Sequence, residues 1–119
     1  MKQGDYALAV ADFQKAMQLE PSFPNSYKNL AWLQATCPES EFRNGPAAVI
    51  HSQKALQLVD YRQTAWFGIL AAAYAEAGSF EEAVQWQTKC LENCTPKCKE
   101  EEEVRLASFR ARQPHRDAS

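Results

Sequence analysis

The stretch Phe67–Leu91, FGILAAAYAEAGSFEEAVQWQTKCL, decides the fold of this chain. Apolar and small residues recur in it at the three- and four-residue spacing of helices that each bury one face. Gly78 interrupts the pattern, and glycine readily adopts the left-handed conformation that ends a helix. Ser79 follows and is a residue type that caps the start of the next helix. The stretch therefore predicts two short amphipathic helices joined by a tight turn.

The beginning of the chain repeats the second half of this stretch. In both places a turn glycine, Gly4 or Gly78, is followed by an aromatic residue and then by the pair Ala9-Val10 or Ala83-Val84. Self-similarity of this kind indicates a repeat array, and these residues resemble the tetratricopeptide repeat family, whose unit is a helix–turn–helix of about 34 residues. The resemblance implies an all-α, TPR-like α-solenoid of antiparallel helix pairs, a right-handed superhelix closed by a C-terminal capping helix.

We expect the whole chain, residues 1–119, to form a single TPR-like domain. Its first helix, from about Asp5 to Leu19, matches the second helix of a repeat whose first helix is not represented. The expected units are residues 1–23 (second helix of an incomplete first repeat), 24–60 (second repeat), 61–94 (third repeat), 95–112 (capping helix) and 113–119 (flexible tail).

The second repeat contains a long loop at residues 37–45. Ala31 and Ala48, which match the close-packing Ala71 and Ala83 of the last repeat, lie five positions further apart than that pair. The amino-acid sequence of this loop resembles a bacterial-type variant of the repeat. It is either a tolerated insertion, with Phe42 packed onto the helices, or a loop that carries function.

Composition excludes several classes of protein. Hydrophobic residues make up 45% of the chain, and the net charge of −2, with both signs interspersed, argues against a general nucleic-acid binder. No apolar run approaches the roughly 20 residues needed to span a bilayer. The first residues lack a signal-peptide core, so we expect a cytoplasmic protein with reduced cysteines, no membrane attachment and no cofactor.

Cys90, Cys94 and Cys98 are four residues apart, a spacing that would place them on one helical face. Pro96 interrupts that helix. Zinc sites generally use two such cysteine pairs, and only one cluster is found here. We therefore expect free or structural thiols and no metal, with a thiol or metal site as the hypothesis from a different functional class.

The two histidines do not suggest catalysis. His51 is expected in mid-helix on the convex surface, and His115 lies in the predicted tail. A nucleophile–base arrangement needs a histidine in a cleft beside a positioned serine or cysteine, and no such pattern is evident. We expect no enzymatic activity.

The resemblance implies a protein–protein interaction module or scaffold, because the first helix of each repeat lines a concave face on which extended peptides or partner segments lie in that family. Lys28 is suited to a carboxylate and Asn29 to a peptide backbone. Trp32 either offers a large apolar platform or packs on the neighbouring repeat or under the long loop. The predicted partner-binding residues are Asn25, Lys28, Asn29, Trp32, Thr36, Ala65, Ile69, Ala72 and Glu76.

Another interpretation of the first helix concerns self-association. Val10, Phe13 and Met17 share a face that no preceding helix covers. Either the chain belongs to a longer array, or this face is buried against another molecule, for example in a homodimer through the N-terminal helix.

Replacing Ala71 by tryptophan tests the close helix contact. We expect Ala71→Trp to lower the free energy of unfolding by about 1–3 kcal/mol or more, because a large side chain overpacks the contact. Urea unfolding measures the change, and an unaltered midpoint would contradict the predicted packing.

Overall fold

The computed structural model describes residues 3–117, and within that range the chain is helical without strands. The all-α prediction is confirmed. None of these helices is long and apolar enough to cross a membrane. The α-helices are α1 (Gln3–Leu19), α2 (Pro24–Thr36), α3 (Gly45–Leu58), α4 (Phe67–Glu76), α5 (Phe80–Glu92) and α6 (Pro96–Arg110), with 3₁₀ turns at Ser40–Phe42 and Thr64–Trp66.

The helices form hairpins that stack in chain order. The most extensive helix contacts are within the pairs α2–α3 and α4–α5, and α4 also packs against α2 and α3 of the preceding hairpin. Short connections favour antiparallel neighbours, which explains the pairing. At the two ends, α1 packs on α2 and α6 packs on α5. This arrangement is the predicted α-solenoid with a C-terminal capping helix.

Alanines lie at the places where the helices meet. Ala31, Ala48, Ala71 and Ala83 are each 0% exposed. Small side chains let helix axes approach closely, so neighbouring helices can bury the larger residues around each contact. The expectation that Ala31 and Ala71 are wedged between helices is confirmed.

The turn between α4 and α5 is closed by the backbone. Gly78 has a φ of 86°, the left-handed conformation predicted for it. Its N–H donates to the carbonyl of Ala75, and the Ser79 N–H donates to the carbonyl of Tyr74. These two bonds satisfy the last carbonyls of α4. The expectation that the Ser79 side chain caps α5 is wrong, because its hydroxyl accepts no backbone N–H.

The joint after α3 departs from the family pattern for a backbone reason. Asp60 stands where the resemblance leads one to expect proline, and it has a φ of 54°. Proline is held near −65° and cannot adopt this conformation, whereas aspartate tolerates it. Tyr61, with a φ of 57°, continues the turn, and its ring stacks on Trp86 with centroids 6.4 Å apart.

The capping helix α6 covers the last repeat with apolar and polar groups together. Leu106 and Phe109 are buried. Glu102 is buried too, which is rare for an acidic residue unless it is paired. Its Oε2 accepts hydrogen bonds from Gln87 Nε2 at 2.7 Å and from the Cys90 thiol at 3.2 Å. Glu102 therefore fastens α6 to α5, because a buried carboxylate requires such donors.

The start of α6 differs from the expectation in one detail. Thr95 occupies the N-cap position but accepts no backbone N–H through its side chain. Its hydroxyl lies 3.6 Å from the sulfur of Cys98 instead. The helix start therefore rests on Pro96, whose fixed φ suits the first turn.

The N-terminal helix α1 is buried at one end and exposed along the other face. Tyr6 is buried, and its ring centroid lies 5.8 Å from that of Phe42, which the long loop packs onto the helices. Phe13 is half-buried, whereas Leu8 and Leu19 are 65% and 71% exposed. The face expected to be partly uncovered is therefore partly covered by α2, and two large apolar side chains of α1 remain open to solvent.

Gly45, the first residue of α3, offers a test of the stacking between hairpins. A β-carbon there would lie 2.5 Å from the backbone nitrogen of Ala77. We expect Gly45→Ala to lower the free energy of unfolding by about 1–3 kcal/mol, since backbone atoms cannot move aside cheaply.

Gly4→Ala is the matched control, because a β-carbon at that helical position meets nothing within 4 Å. It should leave stability unchanged or slightly improved, as alanine favours helix. Equal urea midpoints for the two variants would show that the α3–α4 contact is not as tight as described.

Candidate functional site

A cleft of about 500 Å³ opens between α1, α2 and the chain's last described residues. Five of the predicted partner-binding residues line it, and four come from α2. The remaining lining residues come from α1, from the end of α2 and the long loop, and from α6 onward. The full lining is Tyr6, Ala9, Phe13, Lys28, Asn29, Trp32, Leu33, Thr36, Cys37, Pro38, Ile69, Arg105 and Asp117.

The other predicted residues fall outside this lining. Asn25 and Ala65 are exposed beyond it. Ala72 is 1% exposed and belongs to the core between the hairpins, so its side chain offers nothing to a partner. Glu76 is half-buried and pairs with two arginines, Arg43 and Arg116.

Thr36 lines the cleft through its backbone. Its side chain is fully buried, and the hydroxyl donates to the carbonyl of Trp32 at 2.6 Å. Its own carbonyl belongs to the last turn of α2, where a helix leaves carbonyl groups without intrahelical partners. That carbonyl accepts the N–H of Asp117 at 2.9 Å.

Trp32 packs with one side against the core cluster that includes Ala71 of the neighbouring repeat. It is half-buried, and its indole N–H donates to Oδ2 of Asp117 at 2.7 Å. The ring of His115 lies 5.4 Å from the indole, and the guanidinium of Arg105 lies 5.2 Å from it. The indole therefore packs on the core between the hairpins, and its open side is covered by the end of the chain and by α6.

We name residues 113–117 the C-terminal segment. The sequence led us to expect a flexible tail over 113–119, but within residues 113–117 the chain is held against α2 and α4. Arg116 Nη1 lies 2.7 Å from Oε1 of Glu76, and Asp117 bonds both Thr36 and Trp32. Residues 118–119 lie outside the described range. The prediction of a flexible tail was based on local helix propensity alone and did not include these long-range partners.

Arg112 turns the chain back toward the cleft. It has a φ of 60°, and the Gln113 N–H donates to the carbonyl of Ser108 at 2.8 Å. A non-glycine residue in this conformation costs about 1–2 kcal/mol. Its guanidinium lies 5.3 Å from the ring centroid of Phe80, which offsets part of that cost. Because no glycine stands at this position, the reversal of the chain could not be predicted from the sequence.

Sequence reasoning also missed the cleft residues outside the first helices of the repeats. Tyr6, Ala9 and Phe13 come from α1, which was assigned to the convex, second-helix position. Arg105 and Asp117 come from the end of the chain, which the family pattern does not describe. The recurrence of an aromatic residue after the glycine was the signal that pointed to Tyr6 as a packing residue.

Charges of both signs meet around the cleft. Glu76 lies between Arg116 and Arg43, whose Nε is 4.0 Å from Oε2 of Glu76. Lys28 Nζ lies 5.4 Å from the ring centroid of Trp66, on the wall of the cleft. The arrangement offers a carboxylate to a cation near α4 and an indole N–H to an anion near α2.

Both histidines have lowered pKa values. Burial is the main cause of the lowered pKa of His115, and the charge of Arg105 adds to it, while Asp117 and Glu102 act in the opposite direction. Burial also lowers the pKa of His51, whose Nδ1–H bonds Oε1 of Gln34 at 2.8 Å. His51 lies in the middle of α3, as expected, and is half-buried where α3 meets α2.

The cysteines occupy two different environments. Burial, together with the hydrogen bond to Glu102, raises the pKa of Cys90 to about 12. Cys94 and Cys98 are half-buried and hydrogen-bonded to each other, and bonds from Thr95 and Cys94 lower the pKa of Cys98. Within residues 3–117 no group of three or more histidine, cysteine or acidic side chains is placed to hold a metal ion.

Comparisons with known proteins identify the repeats. The family model described as tetratricopeptide repeat matches residues 1–23 and 67–94. These are the two segments in which the glycine, aromatic and alanine pattern recurs. Neither the curated proteins nor the solved structures gave a match.

The position of His115 predicts that the C-terminal segment detaches on acidification. Because its pKa in the docked segment lies below the ordinary 6.5, the released segment binds more protons as the pH falls below that value. Docking of the C-terminal segment is therefore strongest above pH 6.5 and weakens as the pH falls through the lowered pKa of His115. The NMR signal of the Trp32 indole N–H reports docking, and it should shift between about pH 7.5 and pH 5.

His115→Gln is the control for that titration. The variant keeps a polar side chain without a charge change in this range, so the pH-dependent shift should disappear. The same shift in the variant would assign the titration to another group.

The two thiol environments predict an order of alkylation. Cys98 should react first with iodoacetamide, because its lowered pKa increases the fraction of thiolate. Cys37 and Cys90 are buried and should react last. Mass spectrometry of the partly alkylated native protein gives the order, and early labelling of Cys90 would contradict the described contact between α5 and α6.

Proposed function

We propose that the cleft between α1, α2 and the C-terminal segment binds an extended segment of a partner protein, as expected of a chain in which two segments, residues 1–23 and 67–94, match the tetratricopeptide repeat family. Repeats of this family mediate protein–protein interaction, so the chain serves as a non-catalytic interaction module. The single observation that carries the proposal is that Lys28, Asn29, Trp32, Thr36 and Ile69 converge on one cleft.

The size and lining of the cleft support this function. Its volume of about 500 Å³ falls within the range of small-ligand and side-chain pockets. Trp32 and Ile69 are half-buried on its wall and provide apolar contact area, and aromatic residues are frequent at interaction hot spots. Lys28 and Asn29 add polar groups beside them. A peptide side chain can therefore be buried while its backbone is oriented by polar contacts.

The end of α2 favours main-chain recognition. The carbonyl of Thr36 points out of the helix and already accepts one N–H from outside α2. The carbonyl end of a helix carries partial negative charge, which favours N–H donors and cations. A partner strand that replaces Asp117 at this point takes over the hydrogen bond, which does not depend on the side chains of the partner.

Self-association through α1 is a second candidate, and the exposure of Leu8 and Leu19 favours it. Both are large apolar side chains on one helix that remain open to solvent, and a second copy of the chain could cover them. Multi-angle light scattering tests this candidate with Leu8→Asp. A dimer that this variant converts to monomer would support it, and a monomer at all concentrations would exclude it.

Selection from a library of displayed random peptides tests the cleft directly. We expect selected peptides to lose about tenfold or more in affinity for Trp32→Ala, the loss that an interface hot spot produces. Ile50→Ala is the matched control, since Ile50 is exposed on α3 away from the cleft lining. It should bind as the unmodified protein does.

Melting temperatures separate binding from folding in that experiment. If Trp32→Ala lowers the melting temperature strongly, Lys28→Glu provides a second cleft variant that removes no core side chain. Peptides that bind both cleft variants at full affinity would show that recognition uses a different surface.

A further inference from the structure

Resting on the proposed function, we infer that the C-terminal segment is an internal ligand of the cleft. We infer further that the partner it excludes is a peptide with adjacent basic and acidic residues and an apolar side chain beside the acidic one. The contacts made by Arg116 and Asp117, together with the space that they leave, define this chemistry.

Asp117 defines the acidic position. Its carboxylate accepts the indole N–H of Trp32 at 2.7 Å, and its backbone N–H donates to Thr36 at 2.9 Å. Both contacts are available to any acidic residue of a partner that reaches the same point. A hydrogen bond to an ionised group is stronger than one between neutral groups, so an acidic side chain is favoured over a neutral one.

Arg116 defines the basic position. Its Nη1 lies 2.7 Å from Oε1 of Glu76, a side chain that is only 17% exposed. Arg43, from the long loop, approaches the other oxygen of Glu76 at 4.0 Å and leaves one side of the carboxylate to the incoming cation. The carboxylate is thus directed at the place where the basic residue of a ligand arrives.

The segment leaves most of the cleft open. The space of about 500 Å³ lies beside Asp117 and is bordered by Ala9, Phe13 and Leu33, which are apolar. A partner that repeats the two charged contacts and adds an apolar side chain there buries surface that the segment does not. Such a partner binds the open cleft more tightly than the segment does.

The segment is held weakly enough to be displaced. The side chains of Arg116 and Asp117 remain 33% and 47% exposed, and ion pairs exposed to solvent contribute little. Phe109, by contrast, is fully buried and anchors α6 independently of the segment. Displacement therefore frees the cleft without unfolding the capping helix, while the covalent tether keeps the segment at high effective concentration as a competitor.

The experiment uses the full chain and a labelled synthetic peptide with the sequence of residues 113–117 followed by leucine. The double variant R116A/D117A removes both anchors of the internal segment. If the segment occupies the cleft about nine-tenths of the time, this variant binds the peptide about tenfold tighter than the unmodified chain does. Fluorescence anisotropy gives both affinities.

Two controls define the chemistry. K97A/E100A removes the same two charges from exposed positions on α6, and it should bind as the unmodified chain does. A peptide in which alanine replaces both the arginine and the aspartate should bind at least tenfold more weakly to every chain, about the loss expected for two charged contacts. If R116A/D117A proves unstable on heating, the single variant D117N, which keeps the side-chain shape, replaces it and should give a smaller gain.

Equal affinities for the unmodified chain and R116A/D117A, or no binding of the peptide to either, would overturn the inference. Equal binding of the alanine peptide would overturn the assigned chemistry. The proposed function fails separately, since it requires only that library-selected peptides depend on Trp32. If library-selected peptides depend on Trp32 but R116A/D117A binds the synthetic peptide no more tightly than the unmodified chain does, the cleft is still a binding site. In that case the C-terminal segment is not its internal ligand.

Discussion

Close contact between alanines is the constraint on which the rest of the structure depends. Neighbouring helices pack closely at four alanines that are each 0% exposed, namely Ala31, Ala48, Ala71 and Ala83. Helices of 10 to 14 residues, such as α2 to α5, are marginal on their own and obtain their stability from such packing. Because each hairpin is completed only by its neighbours, the two ends of the array need special solutions.

The two ends use different solutions. At the C-terminal end α6 covers the last hairpin with Phe109 and with the buried Glu102, which accepts hydrogen bonds from Gln87 and Cys90. At the N-terminal end α1 covers α2 only in part, and Leu8 remains exposed. The open space beside α1 and α2 is the cleft that forms the candidate binding site.

The C-terminal segment joins the two ends of the array. It leaves α6 through the left-handed Arg112 and reaches back to Trp32 in α2. Asp117, which follows the capping helix, therefore contacts the cleft at the opposite end of the stack. Its contacts are polar and partly exposed, whereas α6 is held by buried groups, the apolar Leu106 and Phe109 and the hydrogen-bonded Glu102. The fold and the occupancy of the cleft thus depend on different interactions, and one can change without the other.

The sequence by itself determined the local and periodic features. Gly78, the alanine positions and the apolar faces of α2 to α5 follow from helical spacing and from backbone conformations that few residues adopt, and these are properties of short stretches. Leu106 and Phe109, three positions apart, likewise share one face of α6. The resemblance to the repeat family, which implies a concave face lined by the first helices, supplied Lys28, Asn29, Trp32 and Ile69 as candidate binding residues.

Only the tertiary structure decided what those residues meet. Asp117 is 85 positions from Trp32, and no periodic pattern relates residues so far apart. The burial of Thr36 and Ala72 likewise depends on how closely the next helix approaches. Local propensity defined the helices and their faces, whereas the position of a chain end without helical periodicity was set by a few long-range hydrogen bonds and ion pairs.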